Sequence, residues 1–278
     1  MKRVLTIQDI SCVGRCSLTV ALPVVSAAGV ECCGLPTALL SNHTGFSSYF
    51  CTDLSDKLLP IGEQLKRLGI TFDAIYTGYI ASAEQLGIIE RLIAEFRGEN
   101  TLVLVDPVMG DNGRLYSALG ADFPERMARL CEKADIITPK LTEACLLVGR
   151  EYREDISTTE YRGILAELFG RFGAKTLLTG VSSENSEEIG AWSFDGENYG
   201  AAFGARIPLV CAGTGDILSS ALIGALMRGR GFAEATKIAV DFTNECVRLT
   251  ALDPDRREYG VNFERALPHY IEALNHED

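Results

Sequence analysis

The sequence predicts an α/β fold: a central, mostly parallel sheet flanked by helices on both faces, with an antiparallel hairpin at one edge. Three observations carry that expectation. Short apolar runs alternate with amphipathic segments along most of the chain, as strands and crossover helices do. A late pair of apolar runs brackets a turn-forming tetrapeptide. The length of 278 residues suits one large unit around one sheet, so a single domain over residues 1–278 is expected.

In chain order, strand-like runs occupy residues 4–8, 30–37, 74–77, 102–105, 136–138 and 176–179. Between them, apolar residues at helical spacing mark helices at 18–28, 56–68, 83–96, 122–131, 142–148 and 159–172. Pro23 lies inside the first helix and is expected to bend or restart it. Residues 189–194 and 199–203 flank Asp195-Gly196-Glu197-Asn198, whose Asp-Gly pair supplies the hairpin turn. From Gly215 onward the chain reads as helical.

Composition narrows the class. A hydrophobic share of 47% and a charged share of 23% are globular values, and no biased tract marks a linker. The net charge of -12 leaves no broad cationic surface, which excludes nucleic acid and anionic membranes as expected partners. A small anion remains compatible, because a helix N-terminus and a few basic side chains act locally. The N-terminal apolar run is too short for a signal segment, and no run approaches the roughly 20 residues of a membrane span. A cytoplasmic location is expected. Nine cysteines at irregular spacing, with no CxxC pair, read as free thiols in a reducing compartment.

Open α/β sheets bind ligands beyond the carboxyl ends of their strands. Asp9, Tyr79, Asp106, Lys140 and Gly180 each follow a strand-like run, and five such residues point to one shared cleft. The most informative segment is Gly213-Thr214-Gly215-Asp216, followed by apolar residues at helical spacing. It reads as a glycine turn opening a buried helix, where free N–H groups and the helix dipole stabilise an anion. A carboxylate there needs a reason. Phosphoryl transfer supplies one, with the amides holding the migrating group and Asp216 accepting the proton of the attacking hydroxyl. From these four residues alone a plain helix-capping role for Asp216 stands equally open. No GxxxxGK[ST] loop is present, and GTGDIL lacks the third glycine of the dinucleotide fingerprint.

These residues resemble the ribokinase-like superfamily, and within it the pyridoxal/pyridoxamine kinases, over nearly the whole chain. Gly213 to Asp216 resembles the superfamily's anion-hole and catalytic-base motif. Ser41-Asn42-His43-Thr44-Gly45 and Thr77-Gly78-Tyr79 resemble the substrate segments of vitamin B6 kinases. Asp106 to Asp111 is similar to the strand-end aspartate segment near Mg-ATP, and Thr138 to Glu143 to the segment carrying an NxxE pattern. Thr179 and its neighbours are similar to the strand end that touches the nucleotide phosphates.

The resemblance implies a ribokinase-like fold and transfer of the γ-phosphoryl of Mg-ATP to the 5'-hydroxymethyl group of pyridoxal, pyridoxine or pyridoxamine. It implies Asp216 as catalytic base, with Gly213, Thr214 and Gly215 forming the anion hole. Asp9, His43, Thr44 and Tyr79 would face the substrate, where an aromatic phenol and hydrogen-bonding side chains suit a flat heteroaromatic alcohol. Asp106, Lys140, Glu143, Thr179 and Thr214 would line the ATP site, with Asp106 and Glu143 acting through Mg2+ and its waters. A homodimer and a monovalent cation such as K+ near the anion hole are implied as well.

Two positions depart from the family pattern. Asp9 stands where pyridoxal kinases typically have Ser, and a carboxylate there favours a protonated or amine-bearing substrate. Lys140 stands where the pattern has Asn, placing a cation beside the phosphates. The chain between Asp9 and residue 30 holds about one helix, which leaves no room for the separate β lid of the related sugar kinases. The segment from Gly110 to Tyr116, with glycines at its hinges, is expected to close over the site instead. Residues 256–262 read as an exposed loop ending in an Asn262 helix cap, Trp192 as packing, and His269 and His276 as solvated. A hydroxymethylpyrimidine kinase and a non-catalytic nucleotide or vitamin sensor are the alternatives.

Overall fold

The computed structural model describes residues 1–183 and 187–276. Its first half alternates strand and helix: β1 (Arg3–Val13), α1 (Leu18–Ala27), β2 (Glu31–Asn42), β3 (Cys51–Asp53), α2 (Ser55–Arg67), β4 (Ala74–Thr77), α3 (Ala83–Phe96) and β5 (Leu102–Val105). A short ribbon, β6 (Gly110–Asp111) and β7 (Arg114–Leu115), leads into α4 (Phe123–Cys131), β8 (Ile136–Ile137), α5 (Leu141–Val148) and α6 (Thr158–Phe172). The chain closes with β9 (Lys175–Ser182), β10 (Glu188–Phe194), β11 (Tyr199–Ala205), α7 (Thr214–Met227), α8 (Phe232–Ala251) and α9 (Phe263–Asn275).

One sheet has the order β11-β10-β9-β8-β5-β4-β1-β2-β3. The contiguous run from β9 to β2 pairs in parallel, and the β10–β11 hairpin and β3 pair antiparallel at the two edges. Successive strand residues point to opposite faces, so apolar residues on both faces demand two helical layers. Leu5, Ile75, Val103, Ile137 and Leu178 pack toward α2 to α6. Their neighbours Val4, Ala74, Tyr76, Leu104, Ile136 and Leu177 pack toward α1, α7, α8 and α9.

Most boundaries fall within a residue or two of the expected ones. β1, β2 and β9 run longer, and this changes what their ends do. β4 pairs with β1 only over Val4–Ile7, whereas β1 and β2 continue as a pair to Val13 and Asn42. Together with β3 they form a small flap past the carboxyl edge, and no separate β lid is present among the described residues. Asp9 therefore does not follow a strand. It sits inside β1 where the register shifts between Gln8 and Ile10. Gly180 likewise lies inside β9, at φ 68°, skipped by the pairing with β10. Both residues occupy irregularities at the same end of the sheet, where a bulge re-aims the chain.

Three local expectations are corrected. α1 runs through Pro23 unbroken, held across the missing hydrogen bond by Val20, Ala21, Val24 and Val25, each fully buried. The Gly110 to Tyr116 segment, expected as a closing loop with glycine hinges, contains a hairpin that turns at Asn112 and Gly113 with φ 50° and 75°. Gly113 N–H donates to Thr142 Oγ1 at 3.0 Å, which ties the turn to α5. Asn262 is the N-cap residue of α9 but does not cap it, because its amide donates to Asp253 Oδ2 at 2.7 Å.

Candidate active site

The N-terminus of α7 organises the site. Ile217, Leu218, Ala221, Leu222 and Ile223 are buried, so packing fixes the helix and leaves its first turn facing the cleft. Gly213 is its N-cap at φ 83°, and a Cβ there would stand 1.9 Å from Arg15 O. Only glycine permits that crossing of the β1–α1 loop. The crossing brings Ser17 to Asp216. The Asp216 carboxylate accepts the Ser17 N–H, and burial pushes its pKa up to about 6, against the pull of that N–H. The charge of Asp9 raises it further and that of Lys140 lowers it. Asp216 stays half-buried at the edge of the cleft.

Ser17 joins two carboxylates. Its Oγ donates to Asp9 Oδ1 at 2.6 Å while its N–H serves Asp216. Its backbone holds φ 49°, a left-handed conformation that costs a non-glycine residue on the order of 1 kcal/mol or more. Asp9 is buried, which raises its pKa, and the hydroxyls of Ser17 and Ser11 oppose the shift.

On the other side of α7, Asp106 follows β5 and Glu143 opens α5. Burial, and then the charges of Glu143 and Asp216, push the Asp106 carboxyl well above the usual range. Its Oδ2 accepts from Ser219 Oγ at 3.4 Å. Glu143 accepts Lys140 N–H at 2.8 Å and Met109 N–H at 3.1 Å, and burial still raises its pKa to about 7. Lys140 pairs with Asp111 at 3.3 Å and forms a bridge beside Thr179. Burial would lower the Lys140 pKa, but Tyr116, Glu143, Asp111 and Asp106 around it raise it.

A cavity of about 270 Å³ opens beside these groups. Asp111, Lys140, Thr179, Gly180, Thr214 and Gly215 make one end polar. Ile207, Leu209, Val210, Val240 and Val247, with Asn244, make the other end apolar. Such a space fits a ligand with a flat apolar head and an anionic tail. Tyr79 lies within electrostatic range of Asp9 and is half-buried, its pKa raised by burial and by Asp9, Tyr49, Tyr116 and Cys51. His43 Nδ1 accepts Gly45 N–H at 3.0 Å, which leaves the proton on Nε2 as a donor without a partner. Thr44 is exposed on the flap and Thr179 is buried against Pro139.

The structure thus lines the cavity with Lys140, Thr179, Thr214 and Gly215, and links Asp106, Glu143, Lys140, Asp216, Asp9 and Tyr79 in one chain of electrostatic neighbours. Sequence reasoning missed Ser17, Tyr49, Cys51, Tyr116 and the apolar wall of the cavity. Ser17 had one available signal, its place in the loop that follows β1. The wall had none, since isolated apolar residues on three different elements carry no local pattern. Among the described residues no cluster of three or more His, Cys, Asp or Glu side chains could hold a metal ion unaided.

Comparison with known proteins agrees with this geometry. The family model described as phosphomethylpyrimidine kinase matches residues 21–262. A Bacteroides thetaiotaomicron protein assigned to phosphomethylpyrimidine kinase and crystallised with pyridoxal is 34% identical, with a TM-score of 0.91, over 97% of this chain and 95% of that one. The pyridoxal kinase of Lactobacillus plantarum is 31% identical, with a TM-score of 0.90, over 99% of this chain and 98% of that one. A pyridoxal kinase of Rubrobacter xylanophilus is 28% identical over 249 residues, 84% of this chain and 83% of its own length. With the sheet order, the α7 anion site and matches spanning nearly all of its length, the chain belongs to the phosphomethylpyrimidine kinase family and has the ribokinase-like fold.

Proposed function

We propose that this protein is a vitamin B6 kinase, moving the γ-phosphoryl of Mg-ATP to the 5'-hydroxymethyl group of pyridoxal, pyridoxine or pyridoxamine. The observation that carries the reading is Asp216, a half-buried carboxylate next in the chain to Thr214 and Gly215, which line a cavity with one polar and one apolar end. The base and sugar of ATP fit the apolar end, and the phosphates run toward Lys140 and the amides of Thr214 and Gly215. The substrate hydroxyl then lies next to Asp216. Its oxygen attacks the γ-phosphorus, the bond to the bridging oxygen breaks, ADP leaves, and the proton goes to the Asp216 carboxylate. The amides at the head of α7 stabilise the equatorial oxygens in transit.

Asp106 and Glu143 would hold Mg2+. They are two buried carboxylates with Lys140 as a nearby cation, and its ammonium pairs with Asp111, so this donor set suits a hard cation that takes its remaining oxygens from phosphate and water. When bound, the cation neutralises charge on the phosphates. The nine free thiols support a reducing, cytoplasmic setting, and among the described residues no helix is long and apolar enough to cross a membrane. The flap exposes Val13, Leu39, Tyr49 and Phe50, and this apolar surface supports a homodimer.

The test is a panel of B6 vitamers, hydroxymethylpyrimidine and simple sugars with Mg-ATP, with and without K+, read as ADP release. B6 vitamers should be turned over fastest. Asp216→Asn should lose at least roughly a thousandfold in turnover while still binding ATP and substrate. Equal turnover by that variant sinks the mechanism, and a preference for hydroxymethylpyrimidine moves the substrate to thiamine metabolism.

A further inference from the structure

Asp9 is a buried anion short of a cation. It is 6% exposed, and the side chains that donate to it are the hydroxyls of Ser17 at 2.6 Å and Ser11 at 3.5 Å. No lysine or arginine among the described residues forms an ion pair with it, and the nearby Asp216 adds a like charge. An ionised carboxylate in such a place is costly until a positive group joins it. Its other neighbours within electrostatic range are Cys16, which also feels Asp216, and His43, Tyr79 and Cys51 on the substrate side of the cleft. His43 favours the ionised carboxylate from a distance, but no hydrogen bond joins it to Asp9 among the described residues, which leaves the carboxylate open to a cationic group on the acceptor.

Position narrows which group. Ser17 donates to Asp216 through its N–H and to Asp9 through its Oγ, so the two carboxylates are separated by little more than one serine. A substrate whose hydroxymethyl group meets Asp216 has two neighbouring ring carbons, one bearing only hydrogen and the other a substituent able to reach Asp9. In the B6 vitamers that substituent is an aldehyde, a second hydroxymethyl or an aminomethyl group, while the ring nitrogen lies farther away. Only the aminomethyl group, an aliphatic amine protonated at neutral pH, brings the charge that Asp9 lacks.

We propose that Asp9 is a specificity-determining residue that binds the ammonium group next to the phosphorylated hydroxymethyl, making pyridoxamine the preferred acceptor. The proposal rests on the B6 kinase reading. Hydroxymethylpyrimidine carries an amino group at the same relative position, but that amine is neutral and offers a hydrogen bond without the charge.

The experiment compares kcat/KM for pyridoxamine, pyridoxal and pyridoxine in the unaltered protein, Asp9→Asn and Asp9→Ser, with ATP binding by calorimetry as the check that each variant is folded. The unaltered protein should favour pyridoxamine over pyridoxal by roughly tenfold or more, the scale of a charge-assisted hydrogen bond. In both variants that ratio should fall to within about threefold, because pyridoxamine loses far more than pyridoxal does. The same fractional loss for all three vitamers would place Asp9 on a feature they share and overturn the proposal, as would a preference for pyridoxal in the unaltered protein. Turnover of no vitamer defeats the B6 kinase reading itself, a separate failure that takes the proposal with it.

Discussion

At the scale of single residues, Asp216 sits where a full negative charge meets the positive end of α7, yet burial holds its pKa near 6. A base must be ionised to accept a proton, so kcat/KM should rise with pH through an acid limb near pH 6. The same shift sets a stability trend. The folded pKa lies above the ordinary value of 3.8, so between these two values the folded state keeps a proton that the unfolded state has released. Stability conferred by that proton is present below the lower value and is lost as pH rises through the higher one. Asp216→Asn should accordingly be more stable to unfolding than the unaltered protein at pH 7.5, by on the order of 2 kcal/mol. The gap should close at pH 4, and a gap independent of pH would assign the effect to packing. The Asp216 carboxylate at the head of α7 was legible in the sequence because glycines and an acid at a helix start are a local pattern. Ser17, which touches both Asp9 and Asp216, was not, because its partners lie on β1 and α7.

At the scale of elements, the site depends on the head of α7 crossing the β1–α1 loop at backbone contact. Gly213→Ala places a methyl group 1.9 Å from Arg15 O in a left-handed conformation. It should cost about 2–4 kcal/mol in denaturant unfolding and reduce turnover with every acceptor alike. Unchanged stability would mean that the loop moves freely, and the rigid anion site would be wrong. The helices and the central parallel strands were readable from periodicity and strand length. The overrun of β1 and β2 was not, because Ala38-Leu39-Leu40 is a continuous apolar run in sequence, and only pairing with β1 and β3 sets Leu39 outward between buried Ala38 and Leu40. The ribbon at Gly110 to Leu115 read as a hinged closing loop for a related reason: its turn glycine is fixed by Tyr152 and Thr142, which are remote in sequence.

At the scale of the whole molecule, the flap adds exposed apolar surface beside the substrate side of the cleft, with Phe50 71% and Tyr49 50% exposed. Light scattering should show a dimer, and Phe50→Asp should shift the protein toward monomer at micromolar concentration. A monomer before any substitution would remove the dimer expectation. By itself the sequence determined the α/β class, the chain order of its elements and the helix-start carboxylate. These depend on periodicity, composition and residues adjacent in the chain. Only the tertiary structure decided that Asp9 and Asp216 share one serine, that Glu143 is held by backbone amides, and which residues wall the cavity. Each of these is a contact between segments far apart in sequence, where a residue's chemistry depends on what folding places against it.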